Sequence, residues 1–322
     1  GKLVREWRDG GRRYFRYVTD EPVTHGAPVF SAEYAVREDE WNGLPLKIYY
    51  HPTHTFNLDR IASAMKVSLE YNSANFGPYS YGEMRVVEFP RYASFARAHP
   101  HTIAFGEGSA FITRIEEDSP VDRTFFVVSH EAAHQWWGNV LRGARVQGAG
   151  LVSETLASYS ALMALEKTYG EDMAWDFVGY EQDRYLRGRG GQSSRESPMS
   201  EVLDQSFLYY SKGAVVMYTV RDMIGEAAVN VALRRFYERF ANRGAPYATS
   251  RDMIAELRAV TPDSLQYLVT DLFETITLWS VKTDSVSRRQ LPDSSWEVTL
   301  TVTAKKFRAD SIGKETEVPM ND

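Results

Sequence analysis

Two of the seven histidines in this 322-residue chain stand four apart in "SHEAAHQWWGN" (129–139), with a glutamate directly after the first. On a helix, His130 and His134 project from one face and can converge on one ion. Glu131 is turned about 100° from His130. It sits beside such an ion rather than on it, where a general base for an attacking water belongs. The alternative is a chance pattern whose histidines make ordinary surface or core hydrogen bonds. Neutral imidazoles suit zinc, and a catalytic zinc takes three protein ligands and keeps one position open. The chain has no cysteine, so the third ligand must be His, Asp or Glu. Downstream, "GLVSETLASYSALMALEKTYG" (150–170) has helical spacing, and Glu154 near its start lies among Leu151, Val152, Leu156 and Ala157. A carboxylate in such company needs a positive neighbour, and Zn2+ would supply it. Glu154 is therefore the expected third ligand; a solvent-facing helix glutamate is the alternative.

These ligands need rigid supports. Ser119, Pro120 and Asp122 form a helix-start pattern of capping hydroxyl, proline where no N–H is needed, and acid in the first turn. Gly138 is the matching stop. Residues 57–75 place Ile61, Met65 and Leu69 at helical spacing. Strand-like patches occur in "RRYFRYVT", "PLKIYYH", "MRVVEFP" and "TIAFGEGSAFITRI". From Ser119 to about residue 277 the pattern is helical, broken at 187–200 by "RGRGGQSSRESPMS", which is expected to be a surface loop. After residue 278, "LWSVKTDSV" and "SWEVTLTVTA" alternate like half-exposed strands. Trp136 and Trp137 are expected to pack and fix the metal helix. His25, His51, His54, His99 and His101 lack a partner pattern and are expected to be structural. No internal repeat is visible.

Composition bounds the function classes. With 43% hydrophobic and 25% charged residues and a net charge of −6, the chain has the make-up of a globular protein. It shows no basic cluster of the kind nucleic acid requires. No stretch approaches the roughly 18 unbroken apolar residues of a membrane span. The lack of cysteine excludes disulfides and thiolate ligands and leaves the redox compartment open. The chain starts at Gly1 with no leader-like segment, and its end, "ETEVPMND", reads as a strand and its turn. Both ends suggest a soluble piece of something longer.

"HEAAHQWWGN" followed by "SETLASY" resembles the gluzincin aminopeptidases of the aminopeptidase N type. Their zinc helix reads HExxH with a trailing QW-x-GN, and their third ligand lies in an NEG-x-A-S-Y helix. Nineteen residues separate His134 from Glu154 here, where that family usually has eighteen. "ARVQGAGLVSETLASYSALM" looks more specifically like the branch fused to bacterial ABC-transporter permeases, where the longer connection is expected. Two further roles follow from the resemblance. "YYSKG" (209–213) matches Y-x-K-G, whose tyrosine, Tyr210 here, donates a hydrogen bond to the tetrahedral intermediate, a side-chain version of an oxyanion hole. "AFGEGSAFI" occupies the place of the family's GAMEN strand, although its flanking residues differ. Glu107 would then hold the substrate's α-amine on a strand that could also pair with the substrate backbone, or would face solvent on an edge strand.

The resemblance implies an α+β fold: a thermolysin-like zinc peptidase catalytic domain (48–262) flanked by the end of an N-terminal β domain (1–47) and a partial C-terminal β domain (263–322). The implied activity is zinc-dependent peptide hydrolysis, removing N-terminal residues, with His130, His134 and Glu154 on one Zn2+ per chain. Glu131 would be the base, Tyr210 the oxyanion donor and a peptide the partner. A rival reading is a zinc-stabilised peptide- or partner-binding module of an ABC transporter that cleaves little. On that branch the chain would sit on the extracytoplasmic face of a bacterial membrane.

Overall fold

The computed structural model describes residues 2–19, 28–116, 119, 121–310 and 312–320. His25, Pro120 and the last two residues, whose sequence-based roles were given above, lie outside them. The site is built between a five-stranded sheet and a bundle of helices. The sheet contains β3 (Ala35–Trp41), β4 (Leu44–Tyr50), β5 (Met84–Phe89), β6 (Ala96–His99) and β7 (Thr102–Gly106), in the order β3-β4-β5-β7-β6. β4, β5 and β7 are parallel, while β3 and β6 are antiparallel to their neighbours. The inner strands β5 and β7 are almost continuously buried, as expected where both faces of a sheet are covered.

Helix α1 (Leu58–Asn75) connects β4 to β5 and buries Leu58, Ile61, Ala62, Met65 and Leu69, spaced three and four apart. The metal helix α2 (Arg123–Ala133) and the next helix, α3 (Leu156–Tyr169), pack against it and each other. From Leu156 to Leu165, α3 is buried on every side, so it forms the centre of the bundle. Around it lie α4 (Glu171–Gly190), α5 (Gly213–Ile224), α6 (Glu226–Phe240) and α7 (Ser250–Val260). A capping box at Thr249 and Asp252 starts α7.

Outside this body lie the hairpin of β1 (Lys2–Asp9) and β2 (Arg12–Val18) and a three-stranded sheet of β8 (Ile276–Gln290), β9 (Trp296–Ala309) and β10 (Glu315–Val318).

Several expectations shift. The α2 cap is Asp122, whose side chain accepts from the Phe125 N–H at 2.9 Å, rather than Ser119. α2 ends at Ala133, five residues before Gly138. The strand in "TIAFGEGSAFITRI" stops at Gly106, because the following Gly-rich residues turn back on themselves: the Phe111 N–H bonds the Glu107 carbonyl at 3.0 Å. β4 runs through residue 47 and pairs with β3, so the main sheet begins at Ala35. Helix α4 continues to Gly190, and the segment after it is not wholly superficial, for Glu196 and Met199 are buried.

Candidate metal centre

His130 is on the last turn of α2, and His134 caps that helix with helical backbone angles, so the four-residue spacing holds both rings on one face. The helix is fixed by the two tryptophans that follow it. Trp136 Nε1 donates to the Gly77 carbonyl at 2.8 Å and Trp137 Nε1 to Ser160 Oγ at 3.0 Å, and both rings are buried. Glu154 comes from a wide, π-type turn (Leu151–Thr155) that leads into α3. Tyr210 comes from a second such turn (Leu208–Lys212) that leads into α5. One extra residue in a turn redirects the adjoining side chains by about 100°, and such turns are frequent at functional sites.

The three expected ligands converge. His130 Nε2 and His134 Nε2 are 3.1 Å apart, and Glu154 Oε2 is 3.2 Å from each. Tetrahedral zinc with bonds of 2.0–2.1 Å sets its ligand atoms about 3.3 Å apart, so the triangle has the right size. Its chemistry fits as well. His134 Nδ1 lies 2.8 Å from the Trp137 carbonyl, which can only accept, so Nδ1 carries a hydrogen and Nε2 is left to bind. His130 Nδ1 is 3.3 Å from Ser158 Oγ. With His130 in the matching tautomer, three electron-rich atoms face one another and a cation fits between them. Without a metal, the available cation is a proton. Burial opposes a charge on His134, but the charge and hydrogen bond of Glu154, with Glu131 and the Trp137 carbonyl, outweigh it and raise its pKa to about 9. Burial would likewise raise Glu154, yet His134 and His130 hold its carboxyl well below the usual range.

Glu131 is buried on α2 directly after the first ligand, and its charge is felt at both His134 and Tyr210. The Tyr210 ring centroid is 5.9 Å from that of His130, and its phenol lies close enough to Glu154 to feel that carboxylate's charge. Burial first, then the Glu154 charge, push the phenol pKa up, so Tyr210 stays protonated and remains a donor.

Glu107 stands elsewhere. It follows β7, an inner strand bonded to β5 and β6, so among the described residues the edges of this sheet belong to β3 and β6. That corrects the expectation of an edge strand carrying Glu107. Its carboxylate accepts from the Arg91 N–H at 3.2 Å and converges with His54 and Glu88, ligand atoms lying within 4.8 Å of one another. His54 Nδ1 is 2.5 Å from Glu88 Oε1, and the His51 N–H donates to Glu88 Oε2 at 2.6 Å. Two of the histidines expected to be structural therefore serve a buried glutamate. Sequence reasoning missed Ser158, Glu88 and the Thr155 hydroxyl, which donates to the Tyr209 carbonyl at 2.6 Å and ties the two wide turns together. Thr155 follows Glu154 directly, but nothing local marks its distant partner.

A His-Glu-x-x-His helix completed by a glutamate from the next helix, beside a mixed sheet, defines a single-metal centre of the metallopeptidase class. Comparison with known proteins gives the family. Residues 58–272 match the Peptidase family M1 domain, and the chain belongs to that family. It is 25% identical over 215 residues to endoplasmic reticulum aminopeptidase 2 of Homo sapiens, covering 63% of this chain and 22% of that one. It is 22% identical over 198 residues to a leucyl aminopeptidase of Saccharolobus solfataricus, covering 59% of this chain and 25% of that protein. Among solved structures, an M1 zinc metallopeptidase from Deinococcus radiodurans superposes with a TM-score of 0.63 at 17% identity, covering 85% of this chain and 60% of the other. The same protein has been solved bound to a Tyr-Ser-Ala substrate (TM-score 0.62, 17% identity, 85% of this chain and 59% of that one). The chain thus spans less than a quarter of the human relative and about three fifths of the solved one. The family and the donor set together imply one zinc, held by His130, His134 and Glu154.

Proposed function

We propose that the chain is a zinc aminopeptidase unit that removes residues from the free N-termini of peptides. The observation that carries this reading is the near-equilateral triangle of His130, His134 and Glu154 with Glu131 and a protonated Tyr210 beside it. A purely structural metal site needs neither of the last two. When bound, zinc supplies Lewis acidity that polarises the scissile carbonyl and eases ionisation of water. Glu131 takes the proton from the attacking water and passes it to the leaving nitrogen. The Tyr210 hydroxyl donates a hydrogen bond to the oxyanion as charge develops there.

The reading includes a thermolysin-like catalytic architecture, flanked by the β1–β2 hairpin and the β8–β9–β10 sheet as parts of β domains. It also includes membership of the permease-fused branch, supported by the "ARVQGAGLVSETLASYSALM" likeness and the nineteen-residue connection. Among the described residues no helix is long and apolar enough to cross a membrane.

The test is to incubate zinc-loaded protein with matched free-amine and N-acetylated peptides and to read the products by mass spectrometry. Stepwise loss of single residues from the free-amine set alone is expected. Equal internal cleavage of both sets would make it an endopeptidase, and no cleavage of either would favour a binding module. Glu131→Gln should keep its zinc and lose activity by about 10²–10⁴-fold. For the α-amine we assign Glu107, on the family likeness of its place in the sequence; its carboxylate lies outside the metal triangle, beside Glu88 and His54. Glu107→Ala should cost about 2–3 kcal/mol, roughly 30- to 150-fold in kcat/KM, for free-amine peptides only. An equal loss on both peptide sets, or no loss, removes Glu107 from this role.

A further inference from the structure

Two residues beyond Tyr210, in the same wide turn, Lys212 points to the far side and pairs with Glu196; their side chains are 9% and 2% exposed. The carboxylate is fully engaged. The Tyr185 hydroxyl donates to Glu196 Oε2 at 2.7 Å, and Arg189 Nε approaches the same oxygen at 3.4 Å. The segment carrying Glu196 is stitched on both flanks. Gln205 Nε2 donates to the Arg195 carbonyl at 2.9 Å, and the Ser197 N–H donates to Gln205 Oε1 at 2.8 Å. The Gln205 carbonyl in turn accepts from the N–H of Leu208, where the wide turn begins, at 3.0 Å. On the metal side, the Tyr209 carbonyl is held by Thr155 at 2.6 Å. The turn is therefore clamped at residue 209 from within and at residue 212 from without, with Tyr210 between the clamps.

A buried ion pair is a poor source of net stability, because desolvation offsets most of its attraction; its best-attested use is to fix a register. A wide turn has a competing register, the ordinary α-helical one, which would swing Tyr210 off the metal centre. Anchoring Lys212 selects between the two.

We propose that Glu196 and Lys212 are positioning residues that hold the turn in the register aiming the Tyr210 hydroxyl at the metal centre. The inference rests on the proposed role of Tyr210 as oxyanion donor. Neither residue touches the reacting atoms; they act through Tyr210.

A double-mutant cycle tests this, read in two ways on zinc-loaded protein. One readout is turnover. The other is calorimetric binding of a phosphinic tripeptide, whose tetrahedral phosphorus mimics the intermediate. Glu196→Gln is expected to retain zinc, to leave KM unchanged, and to lower both kcat and phosphinic-peptide affinity by about 10- to 100-fold. In the Tyr210→Phe background the same change should cost nothing further in either readout. Lys212→Arg, which keeps the charge but not the compact ammonium, should lose less activity than Lys212→Met. If Glu196→Gln does not fold, the pair Glu196→Gln/Lys212→Met removes both charges and enters the same cycle. A slow Tyr210→Phe with losses that multiply when Glu196 is changed overturns the positioning role alone. A Tyr210→Phe protein with full turnover and full phosphinic affinity overturns the role of Tyr210, and this inference with it.

Discussion

At the scale of single residues, the site is a well for a cation, and either Zn2+ or a proton on His134 can occupy it. Glu154→Gln should weaken zinc retention markedly, because a neutral amide is a poor zinc ligand; metal analysis after dialysis against a chelator checks this. The metal-free protein should show the proton's contribution. The folded pKa of His134 is raised to about 9 from 6.5. A raised pKa means the stabilisation is fully present below the unfolded value and is lost as pH rises through the folded one. The chelated protein should therefore lose on the order of 3 kcal/mol between pH 6.5 and about 9. Zinc-loaded protein should lose little over that window, since the metal displaces the proton. Thermal melts at the two ends would show it, and an unchanged Tm without metal would mean that His134 holds no such proton. The convergence of His130, His134 and Glu154 was legible in the sequence because their geometry is local to two helix segments. Glu107 was legible only as a residue type, since sheet order, set by contacts between distant strands, decides which strand offers a free edge.

At the scale of elements, catalytic geometry depends on how closely the two wide turns approach. "YYSKG" and "SETLASY" signalled chemistry, but nothing in them specified a widened turn, because that register is imposed by partners such as Thr155 and Glu196 from elsewhere. Gly213 is what permits the approach. A Cβ built there would lie 2.4 Å from Thr155 Oγ1 and 2.9 Å from its Cγ2. Thr155 is β-branched and stiff at χ1, and its hydroxyl is committed to the Tyr209 carbonyl, so it cannot easily yield. Gly213→Ala should therefore destabilise by about 1–3 kcal/mol, as overpacking does, and should lower turnover by pushing Tyr210 away from Glu154. Zinc retention should fall less than turnover, because His130 and His134 come from α2, while Glu154, next to Thr155, shifts with its turn. Adding Thr155→Ala should restore much of the lost Tm by making room. Gly213→Ala protein that melts and turns over normally would show that the turns tolerate separation.

At the scale of the whole molecule, the body and the long ribbon of β8 and β9 follow different rules. The ribbon is fixed at its foot, where Asp271 is buried with Lys306 Nζ at 2.6 Å and Arg308 at 2.6 Å. Beyond that foot it has one polar face, with Glu297, Thr299, Thr301 and Thr303, and one apolar face. Alternation along β9 puts Trp296, Val298, Leu300 and Val302 on the apolar side, and the register sets Leu300 opposite Val286. These side chains stand open, with Val286 63% and Leu300 57% exposed. β10 covers only the Lys306–Ala309 stretch of β9, so the remaining edge of that strand is unpaired among the described residues. The sequence showed the alternation plainly, as half-exposed strands; that the apolar half also meets water follows only from the packing. Contiguous exposed apolar surface on a sheet with open edges invites non-specific association. Val286→Lys with Leu300→Glu replaces one directly opposed apolar pair by opposite charges, which suit a cross-strand site. Because both side chains are more than half exposed, the double variant should keep its Tm within about 2 °C and its zinc content unchanged, since exposed substitutions fall within about ±0.5 kcal/mol. Fluorescence of a dye that reports exposed apolar surface should drop, and so should light scattering at high protein concentration. If instead Tm falls by several degrees, the face is packed against something in solution, and the ribbon must be treated as part of a buried layer.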